Sequence, residues 1–316
     1  MVMKNSFLYL QTLKNEGNFQ KAANVLGVTQ PYLSQVVKKL EDQYEVVIVD
    51  RRSKPIVLTK VGEMILDNLR QIDLIEQRTL SICQDYAGLE VGSIKIASNG
   101  ERTNAILMPV IAKFSKLFPN IELDFSQDYI LEDIPQILQD GKADVGMLFE
   151  WMMIDDLDAY RLCRERYMLV VPNSGVTANI GNRYNDAGDY PKLSEVDRSA
   201  LKALKLLQVY RHSERLKILN EALGFETQTV KSVVRQAGTR LAFVSSGLCM
   251  TICQEKLIKN YSHREGCRFI SLEEVLPVQN VVIAWNHRIY QTKAAHAFCQ
   301  MANEIYKGNT LTGSLH

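Results

Sequence analysis

The chain has 316 residues, enough for two domains or for one large domain with an accessory module. Lys and Arg number 37 and Asp and Glu 36. That near balance excludes a generally basic, histone-like binder, so any contact with nucleic acid has to come from a local patch.

The opening MVMKNSFLYLQTLKNEG holds one brief apolar stretch, broken by Gln11 and Lys14, and no small-residue cleavage site. It predicts no secretory signal, and no run of about 18 apolar residues predicts a membrane span. From Ser6 the segment SFLYLQTLKNEG predicts a short helix with Phe7, Leu10 and Leu13 inward, ending near Gly17. Asn18 offers an N-cap to a second helix, FQKAANVLG, with Phe19, Ala23 and Leu26 on one face and Gly27 as its stop. After the turn Gly27-Val28-Thr29, Leu33, Val36, Val37 and Leu40 recur at helical spacing and face the core. Two helices joined by a tight turn containing glycine, with Ala22 and Ala23 small enough for a close crossing, predict a helix-turn-helix.

The outer face of the second helix carries Pro31, Ser34, Gln35 and Lys38, with Tyr32 and Lys39 beside it. Pro31 is tolerated because first-turn amides have no partner to lose, and Thr29 caps that end. Glutamine pairs bidentately with adenine, serine serves either partner, and Lys38 reaches a phosphate or a guanine. A merely solvated face, or one that docks a protein, fits the same helix. The next segment, VVIVDRRSKPIVLT, favours DNA. Val46 to Val49 and Ile56 to Leu58 predict a hairpin with Arg51, Arg52 and Lys54 at its tip, a basic wing placed to hold phosphates.

The stretch FLYLQTLKNEGNFQKAANVLGVTQPYLSQVVKKLEDQYEVVIVDRRSKPIVLTKVGE resembles the winged helix-turn-helix of LysR-type transcriptional regulators. Ala22-Ala23, Gln30-Pro31, Ser34, Leu40-Glu41, Arg51, Leu58-Thr59 and Gly62-Glu63 are in step with it, without a gap. The resemblance implies that Gln30, Ser34, Gln35 and Lys38 read DNA and that Arg51 contacts the backbone. Thr29, Pro31, Tyr32, Arg52 and Lys54 complete the expected DNA-facing set. Two departures stand out: Glu45 replaces a usual glycine, and Val49 a usual phenylalanine.

From Lys60 to Gly88 no proline interrupts the chain, and Ile65, Asn68, Ile72, Ile75, Thr79, Ile82, Tyr86 and Leu89 form a seam with alternating three- and four-residue steps. A narrow seam on a helix of roughly 40 Å predicts a partner helix, from a second copy or from the same chain. Polar Asn68 helps to fix its register.

From Gly92 strands and helices alternate: SIKIA, TNAILMPVIAKFSKLFP, IELDF, LEDIPQILQDG and ADVGML predict a parallel sheet covered by helices. LLQVY, LCMTI and VVIAW predict further strands, SERLKILNEALG a helix capped by Ser213 and stopped by Gly224, and a last helix begins near Gln291. Gly175 to Asp197 reads as a long surface loop. LMPVIAKFSKLFPNIEL, LQDGKADVGM, YMLVVP and SSGLCMTI resemble the effector module of the same family, with Cys249 and Cys253 departing from its usual glycine and proline. The segment 176–204 does not align.

The expected architecture is a mainly α winged helix-turn-helix (1–60) and a linker helix (61–90) leading to a two-lobed α/β domain (91–307), followed by a flexible tail (308–316). That α/β domain resembles periplasmic solute-binding proteins. One lobe is expected at about 92–162 and 268–307, the other at 163–267.

Ligands of such sheets bind beyond the carboxyl ends of strands, at helix starts. Ser98, Asn99, Gly100, Arg102 and Thr103 follow the first strand, and Arg211, His212 and Ser213 precede a helix in the second lobe. Two arginines suggest an anionic effector such as a small carboxylate; solvated surface arginines are the alternative. Gln127, Phe149, Gly247 and Met250 are placed at other strand ends.

Six scattered cysteines without an export signal point to a reduced, cytoplasmic protein. Cys249, Cys253, His263 and Cys267 offer a zinc set on paper, but they lack the usual two-residue knuckle, and buried packing is preferred. No GxSxG, HExxH or P-loop occurs, and His212 before Ser213 is a single dipeptide in place of a cluster of histidines with a nucleophile, so neither an enzyme nor a cofactor is expected. The resemblance implies double-stranded DNA, a small-molecule effector, a second copy of the chain as dimer or tetramer, and RNA polymerase as partners.

Overall fold

A computed structural model describes residues 5–86, 92–125, 129–184, 188–209, 214–307 and 310–311. The chain divides into two compact units, Met1–Gly88 and Leu89–His316. Among the described residues no helix is long and apolar enough to cross a membrane.

In the first unit α1 (Ser6–Glu16), α2 (Phe19–Val25) and α3 (Gln30–Tyr44) enclose Leu10, Leu13, Ala22, Ala23, Leu33, Val37 and Leu40, all buried as their spacing predicts. The Asn18 side chain accepts a hydrogen bond from the Lys21 amide, and that of Thr29 from the Tyr32 amide, satisfying amides that the helices leave open. α3 ends at Glu45 with φ 55°, the left-handed conformation that favours glycine. Glu45→Gly should therefore stabilise this unit by about 1 kcal/mol, read as a shift in denaturation midpoint at constant slope.

The wing is shorter than predicted: β1 (Val49–Asp50) pairs antiparallel with β2 (Val57–Leu58). The reason is Glu41, whose Oε1 accepts the amides of Ile48 (3.0 Å) and Val49 (3.2 Å), so the chain before the hairpin bonds to α3. α4 (Lys60–Tyr86) follows. Gly62 in its first turn is required, since a Cβ there would lie 2.2 Å from the Ile48 carbonyl oxygen. Leu66 and Leu69, which the seam reading left out, pack into the core of this unit, while Ile72 and Ile75 remain 44% and 60% exposed.

In the second unit β3 (Gly92–Ala97) leads into α5 (Gly100–Arg102), a π-turn (Thr103–Leu107) and α6 (Met108–Leu117). Then come β4 (Ile121–Asp124), α7 (Ile134–Gln139), β5 (Val145–Phe149) and β6 (Leu157–Glu165). β7 (Tyr167–Pro172), β8 (Leu206–Gln208), α8 (Glu214–Leu223), β9 (Thr229–Val233), α9 (Ala237–Ser245), β10 (Met250–Gln254), α10 (Glu255–Ile258) and β11 (Cys267–Ser271) make the second lobe. β12 (Gln279–Asn286), α11 (Lys293–Tyr306) and β13 (Thr310–Leu311) return to the first.

Lobe I holds a six-stranded sheet in the order β13-β6-β12-β5-β3-β4, lobe II a five-stranded one in the order β11-β7-β10-β8-β9. β3 is parallel to β4 and β5, as the alternating pattern predicts, and β12 runs antiparallel to β5 and β6. Three boundaries move. β6 stays in lobe I as far as Glu165, β11 belongs to lobe II, and the expected flexible tail contributes β13 to the edge of the first sheet.

The segment read as a surface loop is instead built into lobe II. Ile180, Tyr190, Leu193 and Leu201 are buried, and isolated bridges Asn182↔Phe269 and Lys192↔Ser271 run along β11. β11 would otherwise expose an open sheet edge, which this segment covers.

Candidate functional site

On α3 the four inward positions are buried, and Pro31, Tyr32, Gln35 and Lys38 are exposed beside half-buried Gln30 and Ser34. Tyr32 is held edge-on by Tyr9 of α1, ring centroids 6.2 Å apart. At the wing the Asp50 carboxylate accepts from the Arg52 amide (2.9 Å) and the Ser53 hydroxyl (2.8 Å), bonds that lower its pKa and fix the tip. Arg52 and Lys54 project into solvent and form no ion pair among the described residues. Arg51 differs: its Nη2 donates to Glu41 Oε2 at 2.9 Å and its guanidinium lies 5.8 Å from the Phe19 ring centre. Glu41 therefore ties the wing to the reading helix, with one oxygen on the β1 backbone and the other on Arg51.

The second unit has a cavity of about 510 Å³ whose wall includes Asn99, Gly100, Arg102 and Phe149, four of the expected residues. Ser98 and Thr103 lie behind it instead. The Thr103 hydroxyl donates to Ser98 Oγ (2.9 Å), and Asn99 Oδ1 accepts from the Glu101 amide (3.1 Å), which shapes the loop. Arg102 is neither solvated nor free. Only 5% exposed, it donates from Nη1 to Glu165 Oε2 at 2.7 Å and sits 4.5 Å above the Phe149 ring. Gly247 and Met250 do not line the cavity. Met250 is buried in the lobe II core, and Gly247 takes φ +81° just beyond the end of α9. Gln127, Arg211, His212 and Ser213 lie outside the described residues.

Cys249, Cys253 and Cys267 are buried in lobe II, and burial pushes their thiols up, Cys249 to about 11 and Cys267 to about 12. Metal-binding thiolates are disfavoured there. Among the described residues no group of His, Cys, Asp and Glu is arranged to hold a metal ion.

A family model described as a bacterial regulatory helix-turn-helix protein of the lysR family matches residues 5–63, and one described as the LysR substrate binding domain matches 87–306. The chain belongs to the LysR family.

It is a DNA-binding transcriptional regulator with a ligand-binding domain. One relative, a probable RuBisCO transcriptional regulator of Cyanidioschyzon merolae (strain NIES-3377 / 10D), is 24% identical over 310 residues, covering 92% of this chain and 94% of its own. The LysR-family regulator CbnR shares the fold with a TM-score of 0.69 at 18% identity, over 96% of this chain and 99% of its own. A structure of CbnR with its target DNA gives the same TM-score at 19% identity, with the same coverage of both chains.

Several cavity residues of this LysR-type regulator escaped the sequence reading: Glu101, Tyr129, Arg215, Arg235, Arg240 and Gln254. Arg215 stacks 4.7 Å from the Tyr167 ring centre and forms no ion pair among the described residues. Arg240 is 1% exposed; its Nη1 donates to the carbonyls of Val234 and Arg235, its Nη2 faces Cys253 Sγ at 3.6 Å, and its Nε is buried without a partner among the described residues. The signal was present, because VRQAGTR runs from just beyond β9 into α9, the strand-to-helix junction where ligands bind.

Proposed function

We propose that this regulator reads its operator with Gln30, Ser34 and Gln35, holds the DNA backbone with Lys38, Arg52, Lys54 and Arg51, and is controlled by a small anionic effector. The observation that carries the effector class is Arg240. A guanidinium buried in the wall of a cavity, with one N–H unpaired and no carboxylate joined to it among the described residues, favours an anion. Of the other charges there, Arg102 is neutralised by Glu165, Arg215 and Arg235 add positive charge, and the Glu101 carboxylate is engaged by the amides of Ala237 and Gly238 and the Tyr261 hydroxyl. Glu132 is exposed, so it weighs less than the buried guanidinium.

The DNA reading is supported by amide and hydroxyl groups held on a capped helix beside a braced basic wing. Self-association through α4 is supported by exposed Ile72 and Ile75.

The test of the effector class is a thermal-shift screen of small carboxylates on the full-length chain. A stabilising carboxylate should lose about 2–5 kcal/mol, at least about 30-fold in Kd, when Arg240 is replaced by methionine. Affinity unchanged in both Arg240→Met and Arg215→Met rejects the anionic reading.

A further inference from the structure

The start of α9 carries a second feature. Glu101 of lobe I reaches into lobe II, where its Oε1 accepts the amides of Ala237 (2.6 Å) and Gly238 (3.4 Å) and the Tyr261 hydroxyl (2.7 Å). Three donors on one oxygen make a charge-assisted seat at a helix start, where partial positive charge favours an anion. Residue 238 must be glycine for this seat to exist. A Cβ there would lie 2.5 Å from Tyr261 Cε1, so only glycine lets the ring rest on the first turn of α9 and bring its hydroxyl to the carboxylate. Burial and the bond to Glu101 both raise the Tyr261 pKa, which keeps the hydroxyl a donor. In the same helix the buried Arg240 leaves its Nε without a partner among the described residues and lines the cavity that Glu101 also lines, an independent sign that this end of α9 is built for negative charge.

We infer that the start of α9 together with Tyr261 is a carboxylate site that the chain fills with its own Glu101, so that Glu101 is a latch between the two lobes. The latch adds to the cleft a contact that an effector lodged beside Arg240 strengthens or displaces. That regulatory consequence rests on the effector reading above; the site itself does not.

The experiment is chemical rescue. Full-length Glu101→Ala is melted in sodium acetate or sodium formate, with equal sodium chloride as the control. Its melting temperature should fall by about 4 °C or more in chloride. Acetate or formate should restore at least about half of that loss while moving the wild type by less than about 1 °C. Adding Tyr261→Phe should abolish the rescue, which a merely structural role for Glu101 would not require. A Glu101→Ala protein that melts with the wild type, an equal acetate response in both proteins, or rescue that survives Tyr261→Phe overturns the proposal. Should Glu101→Ala fail to fold, Glu101→Gln and Tyr261→Phe should each melt below the wild type, and either one melting with it overturns the proposal. Acetate lodged beside Arg240 would stabilise the wild type and Glu101→Ala alike, whereas acetate in the vacated seat stabilises Glu101→Ala alone, so failure of this measurement and failure of the effector reading are distinguishable.

Discussion

Arg102→Ala should destabilise the second unit by about 3–5 kcal/mol, among the largest single-residue effects expected in this chain. The cause is the partner left behind. Glu165 is 1% exposed, its Oε2 is held by Arg102 Nη1 at 2.7 Å, and its Oε1 already has no partner among the described residues. Removing Arg102 therefore strands a carboxylate out of water, and the cavity wall also loses the cation stacked on Phe149. Replacing both partners, as Arg102→Met with Glu165→Leu, should recover most of the stability, because no charge is then buried alone. Denaturant unfolding of the single and double variants measures this. A single variant within about 1 kcal/mol of the wild type would mean that the pair is hydrated and the burial argument wrong.

Gln35→Ala should weaken binding to the cognate operator by about 1–3 kcal/mol, roughly 5- to 150-fold, and relax specificity at one base pair. Gln35 is exposed on α3, so stability should stay within about 0.5 kcal/mol of the wild type. Lys38→Ala should behave differently, weakening operator and random duplex alike and lowering the salt slope by about one unit. The contrast separates a base-reading side chain from a phosphate-holding one on a single helix face. If Gln35→Ala weakens both duplexes equally, Gln35 is not a reader. Glu41 sets where the wing lies against that face, since it braces Arg51 and the β1 backbone from within α3.

The helix-turn-helix was legible because its signals are local: apolar residues at helical spacing, caps at Asn18 and Thr29, and stops at Gly17 and Gly27. The wing was legible as a hairpin but not in length, because Glu41 draws off the amides of Ile48 and Val49 through a side-chain contact that no pattern reveals. Segment 176–204 looked like a loop because its composition is polar. Ile180, Tyr190, Leu193 and Leu201 are too widely spaced to form a period, and their burial comes from packing into the lobe II core beside the edge of β11. Of the residues the strand-end rule picks, Asn99, Gly100 and Phe149 line the cavity and Met250 does not. Met250 is the first residue of β10 rather than its carboxyl end, and the residue at that end, Gln254, is the one in the cavity wall. Arg102 also lines the cavity, but the carboxylate it pairs with is that of Glu165, 63 residues away in the sequence and beyond the reach of any local pattern.

A chain with near-zero net charge binds DNA tightly only if a few placed side chains act together. The direct measurement is binding of the full-length protein to DNA from beside its own gene and to a random duplex of equal length, across a salt series. The protein should prefer its own DNA by about 1,000-fold or more near physiological salt, with log affinity falling linearly in log salt for both duplexes. Equal affinity for the two duplexes at every salt concentration would contradict it.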